Sequence, residues 1–213
     1  GVKFDKEGNL WMLNSQAPTQ SLIEFTKDKQ WISHQLPDLM KLDDAGFTNK
    51  SLGLLGNMLI DSRGLLWFVN NHWIVPSLYC YQFSEDNSEE RLNAFTSFVN
   101  EDGTEVSVGA VRCAAEDKDG NIWIGTSAGP LLLDPNQITA SAPTFTQVKV
   151  PRNDGTNYAD YLLSGIDVSC IAVDGANRKW IGTLNMGLYL VSADGSQILK
   201  HFTTENSQLT SDY

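Results

Sequence analysis

The side chains of this 213-residue chain that could carry chemistry are few and scattered. There are three histidines (His34, His72, His201) and three cysteines (Cys80, Cys113, Cys170). The densest candidate is Asn70-Asn-His-Trp-Ile-Val-Pro76, where Asn71, His72 and Trp73 set an indole beside an amide and an imidazole. Asp44, within Gln35 to Ser51, and Tyr158 and Asp160, within Pro151 to Gly165, add carboxylates and a second aromatic from two other long segments. An aromatic face beside amide and carboxylate groups suits a sugar, which is apolar on one face and hydroxylated at its edges. The opposing use is that Trp73 only caps a gap in the packing while the polar residues are solvated.

Catalysis needs a tighter constellation. No Gly-x-Ser-x-Gly, His-Glu-x-x-His or glycine-rich phosphate loop is present. His34 and His201 fall in expected outer strands, where a partly solvated sheet histidine is the ordinary case. Asp117-x-Asp119 looks like the start of a calcium loop, but the twelfth position, which needs a bidentate glutamate, is Ala128. Neither a metal nor another cofactor is expected. Cys113 and Cys170 each stand ten residues before a tryptophan, at equivalent sites of neighbouring repeats and too far apart to bridge. All three cysteines are expected to be free and to act as small core residues.

The elements that must position these residues announce themselves through Trp11, Trp67, Trp123 and Trp180, spaced 56, 56 and 57 residues apart. Each has an aspartate six places earlier (Asp5, Asp61, Asp117, Asp174), and three have a glycine three places earlier (Gly8, Gly64, Gly120). A fixed period of this size marks a repeat architecture. Short apolar runs flank Asp-x-x-Gly, a turn whose aspartate bonds turn amides and whose glycine takes the left-handed position. Each repeat offers four short strands, which predicts an all-β chain of propeller blades: blade 1 over about 1–53, blade 2 over 54–107, blade 3 over 108–166 and blade 4 over 167–213. The last strand of blade 2 is expected over Ala94 to Val99 and that of blade 3 over Phe145 to Val150. With strands A to D in order, the B–C and D–A loops share one face, which carries the long segments named above.

Composition narrows the partners. A formal charge of −11 and a pI near 4.6 argue against nucleic acid, because phosphate binding needs a basic face. With no run of 18 apolar residues, no transmembrane segment is expected. Four blades of a larger ring would expose apolar blade faces, so pairing with a second copy, or cover from other contacts, is expected; a closed four-bladed ring is the alternative.

Asp117-Lys-Asp-Gly-Asn-Ile-Trp-Ile-Gly-Thr126, followed by Gly129, resembles the two-component regulator propeller repeat, and Asp174 with Trp180-Ile-Gly-Thr183 and Gly187 resembles it again. Blades 1 and 2 share only the turn and the tryptophan. Cys170 to Thr183, Tyr189 to Gly195 and His201 to Ser207 resemble one branch of that family, secreted double-propeller proteins that include a surface component of the type IX secretion system. The other branch comprises periplasmic sensor regions of hybrid two-component histidine kinases, which detect glycan fragments. The resemblance implies a non-catalytic recognition or assembly module of an exported protein, periplasmic or at the cell surface, with a glycan or an envelope protein as partner. The alternative is a propeller-fold polysaccharide lyase or glycoside hydrolase using loop-face carboxylates such as Asp44 and Asp160, whose pair would stand about 5 or 6.5–9.5 Å apart.

Overall fold

A computed structural model describes residues 1–41, 50–82, 91–152 and 154–213. Two compact units, Gly1–Thr96 and Ser97–Tyr213, each hold two four-stranded antiparallel blades. In the first unit, blade 1 is β1 (Val2–Phe4), β2 (Leu10–Leu13), β3 (Leu22–Phe25) and β4 (Trp31–His34), and blade 2 is β5 (Leu55–Ile60), β6 (Leu66–Asn70), β7 (Ser77–Gln82) and β8 (Arg91–Phe95). In the second unit, a short β9 (Val99–Asn100) precedes blade 3, which is β10 (Val111–Glu116), β11 (Ile122–Thr126), β12 (Gly129–Leu133) and β13 (Thr144–Thr146). A hairpin of β14 (Lys149–Pro151) and β15 (Ala159–Tyr161) leads to blade 4: β16 (Val168–Val173), β17 (Lys179–Thr183), β18 (Leu188–Val191) and β19 (Ile198–Phe202). Every residue of β6 and β11 is buried, as suits central strands covered on both faces.

The repeated aspartate does more than close a turn. In each blade its Oδ1 accepts the amide four residues on, at 2.8–3.0 Å, while its Oδ2 accepts the tryptophan Nε1–H, at 2.9 Å for Trp11, 2.8 Å for Trp67, 2.9 Å for Trp123 and 3.3 Å for Trp180. One carboxylate thus ties the turn to the core side chain and satisfies an indole donor that burial would strand. Where blade 4 lacks the turn glycine, Asn177 takes φ 62°, and its side chain bonds the Lys118 amide and the Asp119 carboxylate of blade 3. The exception locks two neighbouring turns together.

Burial pushes the Asp117 carboxyl up, but bonds from Trp123 and Asn121 and the Lys179 charge outweigh it and leave it below the usual range. For Asp174 burial is likewise outweighed, by bonds from Arg178, Ala176 and Trp180, and the carboxyl falls to about 2. Asp194, bonded by Ser192 and Ser196, is also held near about 2. The fold therefore favours the charged forms, so their contribution is in place above about pH 4 and is lost as pH falls toward the folded values. The thermal midpoint is expected to drop between pH 4 and pH 2, and less steeply in Asp194→Asn; equal slopes for the two proteins would contradict the bonding at that turn.

Lys179 marks where blades 3 and 4 meet. The residue before the tryptophan is Leu10, Leu66 or Ile122 in the other blades, yet here it is a fully buried lysine. Its Nζ lies 3.2 Å from Asp117 Oδ2 and 4.9 Å from the Trp123 ring centroid, and it donates to the Ala193 carbonyl. An ammonium is tolerated in such a place only when paired and bonded in this way.

The structure corrects several expectations. The last strand of blade 2 is β8, Arg91–Phe95, not Ala94 to Val99; Val99 and Asn100 instead lie parallel against β13 as a fifth strand on blade 3. Asn100 builds a copy of the aspartate turn, its Oδ1 accepting the Asp102 and Thr104 amides, and that turn aims the added strand. Phe145 to Val150 is not one strand but the end of β13 and the start of β14. His34 is buried rather than partly solvated: it stacks on Trp11 at 5.1 Å, and its Nδ1 is 2.9 Å from the Tyr81 hydroxyl. Cys80 and Cys113 are core residues as expected, but Cys170 is exposed. In blade 4 Trp180 is only half-buried, and in blade 1 Val2, Phe4 and Trp31 are exposed.

Candidate functional site

The B–C loop of blade 2 is fixed from below by Asn70, a residue the sequence did not single out. Fully buried at the end of β6, it donates from Nδ2 to the carbonyls of Ser51 (2.8 Å) and Val75 (2.9 Å). A turn then closes through the Val75 amide and the His72 carbonyl at 3.1 Å, and the Asn71 amide is held by Leu54 O at 3.1 Å. His72 is buried, its Nδ1 accepting the Ile74 amide at 3.2 Å, and its ring supports the Trp73 indole, stacked at 4.1 Å and 20°. Trp73 itself is 71% exposed, beside an exposed Ile74. The loop presents an aromatic face backed by the His72 ring, and such a face can stack on the apolar side of a ring.

Asn71, His72 and Trp73 are thus brought together. Asp44 lies outside the described residues. In the second unit, Tyr158 is 69% exposed, while Asp160 is engaged by Arg152 through two bonds of 2.9 and 2.6 Å, which hold its carboxyl below the usual range. Next to them opens a groove of about 560 Å³ between β15 and blade 4, with Leu163, Ile166, Tyr189 and Ile198 as its apolar lining and Asp160, Tyr161 and Ser164 as its polar one. Tyr161 turns its hydroxyl away to donate to Asp102 at 2.9 Å.

Other titratable groups are committed to the fold. His34 Nε2 lies 3.4 Å from Glu24, whose carboxyl is raised by burial against the pull of His34. The Cys80 and Cys113 thiols are pushed up to about 12 by burial, far from nucleophilic. Buried Lys41 donates from Nζ to the carbonyls of Ser15 (2.5 Å) and Ala17 (2.7 Å), while burial pulls its pKa below the usual lysine value. Among the described residues, no three His, Cys, Asp or Glu side chains stand together as metal ligands would, and no helix is long and apolar enough to cross a membrane.

The model of the two-component regulator propeller family matches residues 106–128, the stretch around the Asp117–Trp123 turn. A search of curated proteins by sequence finds no match. Among solved structures, the whole chain superposes on 28% of PorZ, an essential surface component of the type IX secretion system of Porphyromonas gingivalis, with a TM-score of 0.84 and 25% identity. The extracellular domain of a hybrid two-component system of B. thetaiotaomicron matches the whole chain over 32% of its own length at a TM-score of 0.50 and 18% identity. Virginiamycin B lyase from Staphylococcus aureus matches 92% of this chain and 52% of its own at a TM-score of 0.56 and 12% identity, a likeness of fold alone. The chain spans little more than a quarter of the PorZ length, 28%. It is a run of four propeller blades, similar along its whole length to part of a secretion-system surface protein and bearing, at residues 106–128, a match to the two-component regulator propeller family.

Proposed function

We propose that this chain is a non-catalytic recognition and assembly module of an exported envelope protein, at the cell surface or in the periplasm, and that the Trp73 loop is its contact for a glycan. The observation that carries the module reading is the similarity to PorZ over the entire chain, at 25% identity and a TM-score of 0.84. It favours a secretion-type parent over a sensor, whose extracellular domains share less of the fold, with a TM-score of 0.50. The glycan reading rests on an exposed indole held flat on His72 and fixed from beneath by Asn70. Cover for the apolar flanks of blades 1 and 4 by a second copy belongs to the same reading, supported by exposed Phe4 and Trp31 and half-buried Trp180.

The test is intrinsic fluorescence during titration with purified bacterial envelope polysaccharide. Stacking should shift the emission and saturate, and Trp73→Ala should weaken binding about fivefold or more, since stacking on an aromatic contributes on the order of 1 kcal/mol or above. Trp73 is exposed, so the variant should keep its thermal midpoint. Undiminished binding by Trp73→Ala removes the loop from the reading, and no binding by either protein removes the glycan.

A further inference from the structure

Three consecutive residues of β15, Ala159, Asp160 and Tyr161, line the groove beside blade 4. Successive strand side chains point to opposite faces, so an unbroken run means that β15 meets the groove along its edge. The phase of the hairpin ladder settles which backbone groups face there. The Arg152 amide donates to Tyr158 O (3.1 Å) and the Leu162 amide to Val148 O (2.7 Å), with Val150 opposite Asp160 and Pro151 opposite Ala159. Bonded and non-bonded pairs alternate in an antiparallel ladder, so Asp160 turns its amide and carbonyl toward β14 while Ala159 and Tyr161 turn theirs outward. The Tyr161 carbonyl takes the Ser164 amide at 3.2 Å. Among the described residues, the Ala159 amide and carbonyl and the Tyr161 amide have no partner.

The two edges of the hairpin are treated differently. On β14 the outward positions are Lys149 and Pro151, a charge and a residue with no N–H, which are ordinary means of closing a strand edge. The outward positions of β15, Ala159 and Tyr161, have neither, the charge of Asp160 between them being paired with Arg152, and this edge faces a lining in which Leu163 and Tyr189 are buried and Ile198 is 44% exposed. We propose that the edge of β15 takes an extended polypeptide segment as a third strand, with one apolar side chain of that segment seated on Leu163, Ile166, Tyr189 and Ile198. Main-chain bonds give such additions their affinity and pockets for alternate side chains their selectivity. The same unit already accepts a short added strand, β9 on β13. A selectively open row of amides and carbonyls is what a peptide reads; a sugar or an acyl chain has no matching repeat. The groove belongs to the second unit and the Trp73 loop to the first, and either can fail without the other.

The probe is acetyl-Thr-Val-Thr-Phe-Thr-Val-Thr-amide, titrated into the 15N-labelled chain. The amide signals of Ala159 and Tyr161 should move saturably, and the same peptide N-methylated at alternate residues should bind at least tenfold more weakly. Ala159→Pro removes the outward N–H, as Pro151 does across the ladder, without touching the bonds of Asp160, and should weaken binding to a similar degree; Ile198→Asp should do so through the pocket. Equal binding of the methylated peptide overturns the proposal. So does movement of these amides with maltose, cellobiose or octyl glucoside but not with the peptide. Should Ala159→Pro fail to fold, the methylated peptide and Ile198→Asp still decide the question.

Discussion

Replacing Asp117 by alanine is expected to cost about 3–5 kcal/mol of stability, the usual effect of removing one partner of a buried ion pair. Three losses coincide. The Trp123 indole N–H loses its acceptor, the turn loses the group that binds the Asp119 and Asn121 amides, and Lys179 is left as a buried cation. For a chain of this size each kcal/mol lowers the midpoint by roughly 2–4 °C, so the drop should be near 10 °C. Lys179→Met should cost much less, since the carboxylate keeps its turn and indole donors and the other blades carry Leu or Ile at that position. The double variant should therefore be more stable than Asp117→Ala alone. Urea unfolding of the four proteins measures this; a double variant less stable than Asp117→Ala would mean that the stranded charge is not what makes the loss large.

Gly187→Ala is expected to cost about 3 kcal/mol, against about 1 kcal/mol for Gly64→Ala. Both glycines have positive φ, 72° and 89°, so each substitution carries the strain of left-handed backbone. Around Gly64 nothing lies within 4 Å of an added Cβ, whereas at Gly187 that atom would fall 2.1 Å from the Phe202 carbonyl oxygen, part of the strand next to it. Backbone yields less readily than a side chain, so overpacking adds to strain at one site and not at the other. Calorimetry of the two variants gives the comparison, and equal losses would remove the close approach as the cause.

Much of the fold was legible because an indole returning every 56 or 57 residues marks the same strand of each blade, fully buried in three of them and half-buried at Trp180. The tie between Asp117 and Trp123 was not, since a spacing of six does not say that the carboxylate bends back to the ring; the aspartate read only as a turn residue. The β14–β15 hairpin was hidden by Pro151, a breaker in the middle of a sheet but an acceptable edge residue. Phe95 and Phe98 made Ala94 to Val99 look like one strand, although the first closes blade 2 and the second packs on Phe145 of blade 3. At the site, Trp73 was visible as a lone aromatic in a long loop, but Asn70 was not, because its work is done by bonds to carbonyls that only the folded chain brings near. Likewise, nothing near His34 in sequence announces the Trp11 and Tyr81 rings that enclose it.

The added strand β9 bears on how the second unit comes to be made. Val99 pairs with Thr144, so a segment that leaves the ribosome early must wait for about 45 further residues before its partner exists. At roughly 5–20 residues per second that is a delay of several seconds, during which the edge that β13 will cover is bare, while the other edge already turns back on Thr104, Glu105 and Val106. A nascent chain arrested before Thr144 should expose Phe98 and Val99 to chaperones, and one arrested well beyond it should shield them.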